Sequence, residues 1–166
     1  MAAKKKAPKW PFIILSDTRE RQPFKFAKIK PKPTIIKTTM ITGDYSLSID
    51  DRNFSDVVVV ERKGVPDIVC CCTIDRDRFK KQVSRLSRIE RSIIVIEGTM
   101  ADLLVETGRF SDWNPKTVTR TLMSIMFRER VPIVFCNSRE QAEKFTFLYL
   151  KMAYERMTGT RIRIQI

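Results

Sequence analysis

The chain has 166 residues, 43% hydrophobic and 31% charged, with 32 Lys and Arg against 19 Asp and Glu for a formal net charge of +13. That length suits one domain with a sizeable core, and the excess of cations favours a polyanionic partner, because neutralising phosphates releases counterions. Histidine is absent, which excludes Ser-His triads and the usual His-ligated zinc and leaves carboxylates and lysine to do any chemistry.

In chain order, residues 1–11 are predicted to form a basic flexible tail carrying Lys4, Lys5, Lys6 and Lys9. It lacks the apolar stretch of a secretory signal, and no run along the chain approaches membrane-spanning length. An intracellular setting is expected: the cytoplasm of a prokaryote or of a virus-infected cell, or the nucleus if eukaryotic. Phe12 to Ser16 reads as a short buried strand with Asp17, Thr18, Arg19 and Glu20 at its end, the place where open α/β sheets put their sites. Taken alone, Asp17 is equally a turn residue or helix cap. Pro23, Pro31 and Pro33 with many lysines make residues 21–33 an irregular or mobile connection.

Thr34 to Thr42 and Tyr45 to Ile49 are β-type segments separated by Gly43 and Asp44. With the polar turn 50–55 and the strand that follows, a three-strand antiparallel meander is the simplest arrangement. Val57 to Val60 are four consecutive β-branched residues, the composition of a strand buried on both faces, so Glu61, Arg62 and Lys63 emerge at its end. Asp44 can then lie beside Glu61. Two carboxylates with a lysine two residues on are the minimum needed to hold a divalent cation and orient a water toward phosphate. Residues 64–73 read as a helix entered through Pro66, with Asp67 in its first turn, where a carboxylate complements the helix dipole. Cys70, Cys71 and Cys72 are consecutive and Cys136 is remote. That spacing makes neither a zinc knuckle nor a disulfide framework, and all are expected to be small core residues.

Residues 75–91 form a basic amphipathic pattern with Phe79, Val83, Leu86 and Ile89 on one face, leaving Arg78, Lys81, Gln82 and Arg85 for solvent or DNA. Ile93 to Ile96 is the next buried strand, ending at Glu97 and Gly98. Asn114 and Pro115 cap a helix to about Arg128, Pro132 to Phe135 is the last core strand, and Ser138 with Gln141 opens a helix to about Met157. That last helix has two apolar sectors: Phe145, Leu148, Tyr149 and Met152 on one side, Phe147, Leu150 and Tyr154 nearly opposite. One packs on the sheet, and the other is covered by a preceding helix or by a partner chain. Residues 158–166 alternate Ile with polar residues, as in a short terminal strand or tail.

The combined pattern of Gly43, Asp44, Glu61, Arg62, Lys63 and Asp67, with SDTRE at Ser16 to Glu20, RFKKQVSRL at Arg78 to Leu86, IIVIEG at Ile93 to Gly98 and VPIVF at Val131 to Phe135, resembles the nuclease domain of the XPF family of structure-specific endonucleases. The likeness is greatest to its archaeal helicase–nuclease (Hef) branch, within the PD-(D/E)xK superfamily, and covers roughly residues 12–157. It implies an α/β fold with a three-layer, restriction-endonuclease-like core, a mixed central sheet flanked by helices. It also implies cleavage of 3′ flaps, forks or related junctions, leaving 5′-phosphate and 3′-hydroxyl ends. Asp44 and Glu61, with Asp17, would hold Mg²⁺ or Mn²⁺. Lys63 would orient or help deprotonate the attacking water, Arg19 and Arg62 would neutralise the phosphoryl charge, and Glu20 and Asp67 would support the site. Arg78, Lys81, Gln82 and Arg85 would touch branched or flap DNA. Relatives pair, so a homodimer through the C-terminal helices, or a heterodimer with a related subunit, is expected. Unlike many relatives, the domain is expected to stand without a helix-hairpin-helix module after it or a helicase in front. The alternatives are a non-catalytic DNA-binding or scaffold relative, a Holliday-junction resolvase or restriction-type nuclease on the same core, and a purely structural basic protein.

Overall fold

A computed structural model describes residues 10–109 and 114–163. Most of the basic tail and the last three residues of the expected terminal strand lie outside the described residues. Among these described residues the elements follow in the order β1 (Ile13–Asp17), β2 (Ile35–Thr38), β3 (Tyr45–Ile49), β4 (Arg52–Asn53), β5 (Val58–Gly64), α1 (Val65–Cys72), α2 (Arg76–Leu86), β6 (Arg91–Glu97), α3 (Met100–Gly108), α4 (Pro115–Ser124) with a π-helical turn Ile125–Glu129, β7 (Ile133–Cys136) and α5 (Arg139–Thr158). The strands form one sheet in the order β2-β1-β3-β5-β6-β7, with β4 paired to β3.

β5, β6 and β7 are parallel to one another, whereas β3 runs antiparallel to both β1 and β5. β1 and β5 therefore point the same way, and their C-terminal ends meet the N-terminal end of β3. Asp17, Asp44 and Glu61 are brought to one edge of the sheet by strand direction alone.

The expected meander is not what forms. β2 is shorter than its apolar run and lies at the sheet edge, parallel to β1, with Ile35 opposite Ile14. Residues 39–44 instead cross the end of β1 to reach β3. The reason is packing: the 21–33 segment is irregular, as its prolines demand, but it buries Phe24 and Phe26 in the core and so delivers the chain to the far side of β1. Each such ring is worth roughly 1.5–3 kcal/mol of burial.

Alternation along the strands divides the core in two. Val58, Val60, Ile93 and Val95 face α5, against Phe147, Leu150 and Tyr154. Val59, Ile94 and Ile96 face α1–α4, against Ile68, Phe79, Leu86, Leu103 and Leu122. The result is the three-layer α/β sandwich expected.

α2 ends at Leu86, five residues before the apolar pattern suggested, because Arg91 already donates its backbone N–H to Val57 as β6 begins (3.0 Å). α3 was not anticipated, although its signal is present: Thr99 Oγ1 accepts from the Asp102 N–H, and Asp102 Oδ2 accepts from the Thr99 N–H, a reciprocal cap. α4 loses α-geometry after Ser124 and closes at Arg130 in the left-handed region (φ 56°). Residues 159–163 form no strand; the Ile162 N–H is tied instead to Glu155.

Candidate active site

Gly43 sets the position of Asp44. Its φ is +82°, and a Cβ there would lie 1.9 Å from Val59 Cγ1, so only glycine allows the loop to press on β5 at this point. The Asp44 N–H then donates to the Val60 carbonyl (2.9 Å), its carbonyl accepts from the Asp17 N–H (2.8 Å), and one carboxylate oxygen accepts from the Arg62 N–H (2.7 Å). Burial and the neighbouring Glu61 charge push the Asp44 carboxyl well above the usual range.

Glu61 is only 2% exposed. Its Oε1 accepts from Lys63 Nζ (2.5 Å), while Oε2 is buried without a hydrogen-bond partner. Burial alone would lower the Lys63 pKa, but the Glu61 charge and hydrogen bond outweigh it, and the ammonium is held above its ordinary value. Strand period puts Glu61 and Lys63 on the α1–α2 side of the sheet. They line a cleft of about 390 Å³ that also takes in Asp17, Arg19, Asp44, Asp67, Arg78, Gln82 and Arg85. Cys70, Cys71 and Asp75 line it too. Cys71, expected in the core, is half-buried at this cleft, and burial pushes its thiol up to about 11. Of the expected DNA contacts, only Lys81 is outside the cleft.

Asp17 is close by but fully engaged. Its Oδ1 accepts from the Arg19 backbone N–H and Nε (both 2.8 Å), and its Oδ2 from Arg19 Nη2 (3.0 Å) and the Met40 N–H (2.8 Å). Burial would raise its pKa, yet these donors lower it on balance. The carboxylate thus anchors Arg19, whose side chain remains 64% exposed at the cleft, and fastens the 39–44 crossing to the end of β1.

Arg62 projects to the opposite face. It forks onto Glu97 (Nε to Oε1 2.7 Å, Nη2 to Oε2 2.9 Å), approaches Glu20 at 3.4 Å and lies over the Phe24 ring. Arg139, at the start of α5, adds a second contact to Glu97 (3.0 Å). Arg62 and Glu20 border a smaller depression of about 360 Å³ shared with Asp44, Glu61, Lys63 and Asp67. Glu97 and Arg139 were not singled out from sequence. Glu97 carries the same signal as Glu61, an acid ending a buried strand, whereas nothing local marks Arg139. Asp67 Oδ2 lies 3.4 Å from the Gly64 N–H at the start of α1.

Among the described residues no group of three or more His, Cys, Asp or Glu side chains forms a ready metal cage. A hard divalent cation nevertheless fits. An orphaned buried carboxylate oxygen on Glu61 beside a carboxylate destabilised by that same charge lacks a cation, and Mg²⁺ retains several waters rather than requiring an all-protein shell.

A mixed sheet between one long helix and a layer of shorter ones, with two acids and a lysine at adjoining strand ends, defines a restriction-endonuclease-like α/β domain. The ERCC4 domain model matches residues 16–148, and the chain belongs to that family, the XPF-type nuclease domains. A Methanocaldococcus jannaschii protein provisionally named ATP-dependent RNA helicase MJ1505 is 31% identical over 140 residues, 82% of this chain and 15% of its own length. The 3′-flap repair endonuclease Xpf of Saccharolobus solfataricus is 32% identical over 111 residues, 66% of this chain and 44% of its own length. The chain thus spans less than half of either curated relative. XPF from Aeropyrum pernix superposes with a TM-score of 0.66 at 17% identity, over 88% of this chain and 67% of that one. Its complex with DNA gives 0.65 at 17% identity, over 86% and 65%. These two likenesses are of fold. No helix among the described residues is long and apolar enough to cross a membrane.

Proposed function

We propose that this domain is a metal-dependent, structure-specific DNA endonuclease acting at 3′ flaps, forks or related junctions. The observation that carries the proposal is the meeting of Asp44, Glu61 and Lys63 in one cleft walled by Arg78, Gln82 and Arg85. Asp44 and Glu61, with the Arg62 carbonyl, would hold the cation. Mg²⁺ or Mn²⁺ bound there would polarise the scissile phosphate and offset charge on the leaving 3′ oxygen.

Lys63, kept protonated by Glu61, orients the attacking water as a donor rather than deprotonating it. Water oxygen bonds to phosphorus as the P–O3′ bond breaks; the water's proton passes to solvent and the departing 3′ oxygen takes one up from solvent, leaving a 5′-phosphate and a 3′-hydroxyl. Arg19, aimed by Asp17, supplies positive charge to the phosphoryl oxygens. Arg62 acts indirectly, by holding the end of β5 through Glu97. Arg78 and Arg85 engage the backbone of the bound DNA, while exposed Lys81 contributes only to the general field. Pairing through α5 belongs to the same proposal: Phe147, Leu150 and Tyr154 are buried on the sheet, while Met152 is 64% exposed on the other sector.

Purified protein is tested on labelled flap, fork, four-way junction and plain duplex, with and without Mg²⁺ or Mn²⁺. Metal-dependent cutting of flap or fork is expected, with Asp44→Ala binding DNA but not cutting it. Absence of cleavage on every substrate in both metals, or parental rates in Asp44→Ala, refutes the assignment. Preference for the four-way junction or plain duplex would point to the resolvase or restriction-type alternative.

A further inference from the structure

A second groove is larger than the acidic cleft. It lies on the other side of α2, between that helix and α4 with its π-helical turn, and encloses about 670 Å³. A shallower depression of about 540 Å³ adjoins it and shares Arg120, Ser124 and Arg128. Phe79 reaches both the groove and the acidic cleft, so α2 is the ridge between them.

The groove is strongly cationic. Arg76, Lys80, Arg120 and Arg128 line it against a single acid, Glu129. Lys80 reaches Asp77 at 3.4 Å on the surface, whereas Arg76, Arg120 and Arg128 make no ion pair among the described residues. At the adjoining depression Phe127 is 86% exposed, flanked by Met123 and Met126. The ring thus stands within the π-helical turn, in water, as part of an exposed apolar surface that continues into a cationic groove.

We infer that this groove binds single-stranded DNA, with the backbone lying along Arg76, Arg120 and Arg128 and a base stacking on Phe127. Single strands are held by cationic channels punctuated by aromatic platforms, because every base has a face to stack and every phosphate a charge to neutralise. A second copy of this chain is the competing occupant. The groove lining, Arg76, Lys80, Arg120 and Arg128 against Glu129, offers a second such surface little charge complementarity, whereas it complements a polyanion. The inference goes beyond the cleavage proposal: it places an unpaired strand across α2 from the acidic cleft.

The test uses fluorescence anisotropy with a labelled oligo-dT and a blunt duplex of equal length, in EDTA at about 100 mM salt, where backbone charge still contributes. The double variant R120E/R128E should weaken oligo-dT binding tenfold or more and give a shallower salt dependence. Phe127→Ala should weaken it on the order of tenfold while changing duplex affinity less than twofold. All three side chains are exposed, and circular dichroism checks that the fold is retained. Unchanged oligo-dT affinity in both variants overturns the inference. So does a Phe127→Ala variant that binds oligo-dT normally but shifts from dimer to monomer by light scattering, which assigns the face to a second copy. Oligo-dT binding that responds to these variants in a parent that cuts no substrate would leave the groove standing and remove the cleavage proposal instead.

Discussion

Replacing Asp44 with Asn removes one of two repelling carboxylates while keeping an oxygen that can accept the Arg62 N–H bond of 2.7 Å. Burial and the Glu61 charge already hold the Asp44 carboxyl well above its ordinary pKa. The ionised pair is therefore an internal cost to the metal-free fold. Relief of such a site typically adds about 0.5–2 kcal/mol. For a chain of 166 residues, 1 kcal/mol corresponds to a rise of about 2–4 °C in melting temperature. In EDTA the Asp44→Asn variant should melt above the parent. In excess Mg²⁺ the order should invert, since a ligand bound only by the folded state adds about 2.7 kcal/mol at 100 times its Kd. Differential scanning calorimetry in the two buffers measures both arms. A variant that melts lower in EDTA, or that gains as much from Mg²⁺ as the parent, refutes the picture of a repelling pair completed by a cation.

Gly43→Ala combines a left-handed backbone with a Cβ 1.9 Å from Val59 Cγ1. It should cost about 2–4 kcal/mol in urea unfolding from strain and overpacking, and an unchanged midpoint would show that the 39–44 crossing is not pinned by this contact. Glu155 tests pH dependence away from the cleft. Lys151 and the Ile162 N–H hold its carboxyl below the ordinary glutamate value of 4.5. A depressed folded pKa contributes stability that is present above the unfolded value and lost as pH falls through the folded one. Hydrogen-exchange protection of the Ile162 amide should therefore persist from neutral pH through 4.5 and be lost only at lower pH, as the depressed folded pKa is crossed. The same pH profile in Glu155→Gln would refute this assignment.

Burial dictates composition locally, and so the parts of the chain that are buried on both faces were readable from sequence. Val58 to Val60 could only be a central strand, and the acids ending it and its neighbour were visible for the same reason. Pairing is different, because no local residue states which strand lies alongside. Ile35 and Ile36 look like a partner for Tyr45 to Ile49, but β2 pairs with β1 because Phe24 and Phe26 carry the intervening chain around it. The direction of Arg62 was available from strand period, which separates it from Glu61 and Lys63. Its role was not, since its partner Glu97 is 35 positions away, and Arg139 reaches that same glutamate from 42 positions further on. Asp17 likewise offers a carboxylate at the right strand end, and only the Met40 N–H and the Arg19 fork reveal that both its oxygens are engaged.

Helix α2 joins these features into one device. Its apolar stripe, Phe79, Val83 and Leu86, is buried against the sheet and fixes the helix axis. The residues on one flank, Arg78, Gln82 and Arg85, then wall the acidic cleft, and those on the other, Arg76 and Lys80, wall the groove toward α4. Residues three and four apart share a face, so one helix presents two cationic surfaces on either side of a fixed ridge. The acids and Lys63 sit at or beside strand ends that the sheet holds rigidly, whereas the proposed contacts for DNA sit on helical positions outside the buried stripe, which can change without disturbing either core. Substitutions at strand ends should therefore act on catalysis and folding together, while those on the flanks of α2 should alter which strands are held and leave the fold intact.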